Sequence, residues 1–196
     1  MTVQSIVLKL IAGLWAYPSP YVATDWDLLR HEVEQLPSAS LRDPLVTVLE
    51  AFQAWAPLEW ELHYTQVFDF DAGATLYLTA HELGEDANRG PSLLALKAMI
   101  ESSGFGLADD QVPDFIPLLL ELLAEDPDAS FVPELAARLA FAIARIGQRL
   151  DELESPYGAL CKVLREVLPE PVEPKSHKVP TNHDPEYDMP FPVRYS

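Results

Sequence analysis

Apolar residues recur at three- and four-residue intervals along almost the whole chain, and no run alternates apolar and polar residues as a half-buried strand would. That periodicity predicts an all-α fold. Val3, Ile6, Val7, Leu10, Ile11 and Leu14 share one face of a first helix that stops at Tyr17-Pro18. Trp26, Leu29, Val33 and Leu36 predict a second, capped by Thr24 or Asp25. Leu41 to Trp55 predicts a third, ending before Pro57, and Leu58, Leu62 and Val67 a fourth. Pro91 suits the first position of a helix continuing to Ile100. Phe115 to Leu123 is almost wholly apolar and is expected at the centre, buried on most sides. Leu135–Leu153 and Tyr157–Leu168 complete a body of about eight helices. The short run Thr75–Thr79 fits strand or helix, and its helical surroundings favour helix.

Two units follow: a helical domain over residues 1–168 and an extended Pro-rich tail over 169–196. Seven of the chain's 18 prolines lie in that tail, a spacing that forbids a useful length of helix. Its Phe191 and Tyr195 are expected to anchor it across the body. The first helix is read as packed rather than as a signal peptide, because no basic stretch precedes its apolar run and Lys9 interrupts it. No segment approaches the roughly 18 apolar residues that would span a bilayer.

The formal net charge is −18. Nucleic acid and anionic membrane surfaces both need clustered Lys and Arg and are therefore disfavoured partners. A basic peptide is the partner such a field attracts, mainly by hastening encounter, although solubility alone explains the acidity equally well. The single cysteine, Cys161, permits no internal disulfide and sits at an apolar helical position, where burial is expected.

His81-Glu82 followed by Glu85 is a fragment of a zinc-helix motif that lacks its second histidine. Asp69 and Asp71 could work as an acid–base pair, but Asp69 is better read as closing the turn around Gly73. Gly84 and Gly90 suit backbone conformations that other residues resist. Residues 57–91 hold seven acids and one base, Arg89, which is expected to pair with a neighbouring carboxylate. Trp15, Trp26, Trp55 and Trp60 are expected in the core.

Several of these segments, in this order, resemble the nitrate reductase delta-subunit family, the NarJ-type assembly chaperones of molybdenum oxidoreductases. They are Tyr64…Phe68-Asp69, Leu76-Tyr77-Leu78-Thr79, Gly84-Glu85…Arg89-Gly90, Leu93 to Lys97, and Pro113-Asp114-Phe115-Ile116-Pro117 followed by Leu118 to Leu123. The tail and the segment Asp71-Ala72-Gly73 lie outside the resemblance.

The resemblance implies a non-enzymatic cytoplasmic chaperone. A monomer without membrane insertion is expected, and one cysteine, an incomplete zinc motif and no glycine-rich phosphate loop predict no cofactor of its own. The chaperone would bind the N-terminal segment of the apo catalytic subunit, hold it for cofactor insertion, and be absent from the mature enzyme. A client site built from Tyr64, Phe68, Asp69, Leu78, His81, Glu82 and Arg89 is the corresponding expectation. Two other readings stand beside it. One is a small metal-dependent hydrolase using His81, Glu82 and Asp69. The other is a permanent structural subunit of an oxidoreductase.

Overall fold

The computed structural model describes residues 2–18, 25–84, 89–108 and 111–172. Among these it contains nine α-helices, one π-helical turn and no strand. The helices are α1 (Val3–Leu14), α2 (Trp26–Glu34), α3 (Ala39–Ala54), α4 (Pro57–Tyr64), α5 (Leu78–Leu83), α6 (Arg89–Ser102), α7 (Ile116–Glu125), α8 (Val132–Glu152) and α9 (Gly158–Val167); the π turn is Thr65–Asp69. The all-α expectation holds. The tail beyond Val172, with Phe191 and Tyr195, lies outside the described residues, as do Thr24, Glu85 and Asp86.

Local chemistry sets the helix ends. The Thr2 side chain accepts from the Ser5 N–H at 3.1 Å, and Asp25 accepts from Leu28 at 3.0 Å. Pro57 opens α4, and Glu59 reaches back to the Ala56 N–H at 2.9 Å. Helix α7 packs on α1, and α9 packs on both α3 and α8. The α8–α9 approach depends on Gly147, since a Cβ there would meet the Cys161 Cβ at 3.0 Å. Cys161 is buried, and that burial pushes its thiol up, away from the reactive thiolate.

Helix α5 departs from the sequence expectation. Thr75–Tyr77 is not helical, and α5 begins only at Leu78. The reason lies far along the chain. The Leu78 N–H donates to the Asp114 carbonyl at 2.9 Å, and the Ile116 N–H donates to Leu76 at 2.8 Å. This antiparallel bridge between Tyr77 and Phe115 ties the start of α5 to the start of α7.

Candidate partner-binding surface

The seven residues singled out from sequence fall into two buried frames and two solvent-facing positions. Tyr64 and Phe68 belong to an aromatic core. Their rings meet at 4.9 Å, and Phe68 meets the fully buried Tyr157 edge-on at 4.8 Å. The Tyr64 hydroxyl donates to the Trp15 carbonyl at 3.1 Å. Burial, with the charge of Asp69 adding to it, pushes the Tyr64 phenol up. Trp60 donates its indole N–H to the Tyr157 hydroxyl at 2.7 Å, and Phe52 lies between these rings. Of the four tryptophans, Trp15 is fully buried, while Trp26, Trp55 and Trp60 are half-buried against the core.

The second frame surrounds α5. Leu78 is fully buried and His81 nearly so. The His81 Nε2 lies 2.7 Å from the Thr75 carbonyl, which can only accept, so Nε2 carries the proton. Burial lowers the His81 pKa despite that bond. Glu82 grips Arg138 of α8 through both oxygens, at 2.7 and 2.8 Å. Burial works against the Arg138 charge, but the Glu82 bonds outweigh it and leave the guanidinium raised. Three turns further along α8, Arg149 grips Asp71 in the same way, at 2.7 Å for its shortest contact. These two forks pin the Asp71–Glu82 segment to α8.

Asp114 is completely buried beside α5. Its Oδ2 accepts from the Thr79 N–H at 3.3 Å and from the Thr79 hydroxyl, and the same hydroxyl accepts from Arg89 Nε at 2.9 Å. Arg89 Nη2 lies 3.7 Å from Asp114. Arg89 thus pairs with a carboxylate distant in sequence and keeps part of its side chain in solvent; its sequence neighbours Glu85 and Asp86 lie outside the described residues.

Three details of the sequence reading change. Asp71, not Asp69, closes the turn, accepting from the Gly73 N–H at 2.9 Å. Gly84 has φ 59°, a conformation other residues resist, whereas Gly90 lies within α6. Leu58 and Leu62 belong to the outside of α4, at 63% and 61% exposure, although their spacing suggests a core face. The signal was present: Trp60 and Tyr64 have the same four-residue spacing on another side, and only one pair can face inward.

Two further apolar side chains, neither of them among the seven, are exposed as well. Phe70, directly after the π turn, is 83% exposed, and Tyr17 is 49% exposed. The Tyr17 ring meets Tyr64 edge-on at 5.3 Å, and its hydroxyl lies 3.4 Å from the Glu61 carboxylate. Asp69 is exposed at the end of the π turn. From Asp43 to Asn88 the sequence contains no Lys or Arg.

Among the described residues, no group of three or more His, Cys, Asp or Glu stands close enough to hold a metal ion. His81 and Glu82 are held by Thr75 and Arg138 instead. No described helix is long and apolar enough to cross a membrane.

The family described as "Nitrate reductase delta subunit" matches residues 34–162, which takes in Tyr64, Phe68, the frame around α5 and the outer face of α4. A Bacillus subtilis protein named "Probable nitrate reductase molybdenum cofactor assembly chaperone NarJ" is 27% identical over 170 residues, covering 85% of this chain and 90% of its own. The Escherichia coli K12 "Nitrate reductase molybdenum cofactor assembly chaperone NarJ" is 34% identical over 108 residues, 55% of this chain and 45% of that protein. The related E. coli NarW, named a probable chaperone of the same kind, is 31% identical over 81% of this chain and 66% of its own.

Proposed function

The chain belongs to the nitrate reductase delta-subunit family, and from that premise we propose that it is a non-enzymatic assembly chaperone for a molybdenum oxidoreductase. In this reading it binds the N-terminal segment of the large catalytic subunit, holds the apo subunit in the cytoplasm for cofactor insertion, and leaves the mature enzyme. The observation that carries the reading is the extent of the Bacillus subtilis likeness. It runs through nearly the whole of that protein, named a probable assembly chaperone, and most of this chain, so what is shared is the helical body rather than an isolated motif.

The chemistry of the surface supports a peptide client. Exposed apolar side chains supply contact area, and the carboxylates of Glu61 and Asp69 suit a segment bearing Lys or Arg. Asp69 and Arg89, which reach solvent, would touch the client. Tyr64, Phe68, Leu78, His81 and Glu82 would hold the surface in shape from behind. The chain would act as a monomer, one client segment per chaperone.

Titration calorimetry with the N-terminal peptide of the large molybdenum subunit from the same organism tests this. One-to-one binding is expected. No heat and no competition at high micromolar peptide, with the chaperone folded, would remove the reading.

A further inference from the structure

Helix α4 carries apolar side chains on two sides. The inner side is satisfied by Phe52 and Tyr157, which meet Trp60. The outer side, Leu58 and Leu62, is exposed. The π turn extends that outer side. In a continuous α-helix, positions four apart drift steadily around the axis. The wider π turn counters the drift, and its closing bond runs from the Phe70 N–H to the Thr65 carbonyl at 3.2 Å. Phe70 therefore stacks one turn beyond Thr65, in line with Leu58 and Leu62. The result is a row of three exposed apolar side chains spanning roughly 16 Å, with Thr65 and Gln66 in the turn between Leu62 and Phe70. Glu61 and Asp69 flank it, with Tyr17 at one edge.

The charge pattern restricts the occupant. No Lys or Arg lies in the sequence from Asp43 to Asn88. The arginine that reaches this part from α8, Arg149, is taken up by Asp71 and Glu152. A second copy of a chain with net charge −18 would set this acidic face against its own kind, which costs association. An anionic lipid surface is repelled for the same reason.

We propose that the outer face of α4 and the π turn is a docking surface for a cationic amphipathic helix of another protein. The partner places apolar side chains along Leu58 and Leu62, one turn apart, and along Phe70, two turns further on, and sets Lys or Arg against Glu61 and Asp69. This deepens the chaperone reading by locating the client segment and fixing its chemistry, and it rests on that reading for the partner's identity.

The test uses the full chain and two synthetic peptides of about 16 residues. Both carry Leu and Phe at helical spacing; one has Lys and Arg on its flanks, and the other has Glu there. The cationic peptide is expected to bind one-to-one, and the acidic twin at least about tenfold more weakly. Leu62→Asp and Phe70→Ser should each weaken the cationic peptide about tenfold or more without lowering Tm. Leu94→Asp, at an equally exposed position of α6, should leave binding unchanged. The docking surface is overturned if Leu62→Asp binds as the parent does, if Leu94→Asp loses as much, or if the acidic twin binds equally. It is also overturned if the chain dimerises through Leu62, or if Phe191→Ser with Tyr195→Ser raises affinity tenfold, since the face would then belong to a second copy or to the tail. The client's own N-terminal peptide separates the two claims. Binding that ignores Leu62→Asp sinks the location and leaves the function, whereas no binding to the parent chain sinks the function.

Discussion

Glu82 holds Arg138 through both carboxylate oxygens across the contact between α5 and α8, with little of either side chain exposed. A residue read from sequence as a zinc-motif fragment or a client contact thus also has a definite structural task. Removing one partner leaves the other charge buried without compensation. Arg138→Met should cost about 3 kcal/mol of folding stability, and adding Glu82→Leu should recover part of that loss. Urea unfolding of the two single variants and the double variant measures the coupling; simple additivity would mean that the fork does not hold α5.

Asp114 should matter for the same region. It serves the Thr79 N–H, the Thr79 hydroxyl and Arg89 while fully buried. Asp114→Ala strips all three of an acceptor and should destabilise by about 2–3 kcal/mol. Asp114→Asn retains an acceptor and should cost less. Thermal melts rank the variants, and equal losses would show that packing rather than acceptance is at stake.

Low pH should weaken the protein partly through His81. Burial holds its folded pKa below the ordinary histidine value, with the Arg145 charge helping and the Thr75 bond and Glu82 opposing. The unfolded chain therefore takes up the proton first as pH falls. Stability is complete above about pH 6.5 and declines as pH drops from there towards the folded value. His63, also lowered by burial, adds to the same window. His81→Gln keeps a donor for Thr75 and should flatten part of the decline in Tm between neutral and mildly acidic pH; an unchanged slope would contradict the assignment.

The limits of the sequence reading follow from these particulars. Helices α7 and α8 were legible because their burial follows from their own periodicity. The start of α5 was not, since Leu76 and Leu78 bond to residues near position 115. The contact between Arg89 and Asp114 was not legible either, because the two residues lie far apart in the chain. On α4, spacing alone left two equivalent apolar faces, and the choice was made by Phe52 and Tyr157, from α3 and the start of α9. The exposed row is what remained after that choice.

The most direct test of the account is co-purification of the chain with its large molybdenum subunit in three forms: apo, apo without the N-terminal segment, and cofactor-loaded enzyme. The account predicts a one-to-one complex with the intact apo subunit, its loss on truncation, and no chaperone in the loaded enzyme. Equal retention by the truncated subunit, or a stoichiometric place in the loaded enzyme, would contradict it.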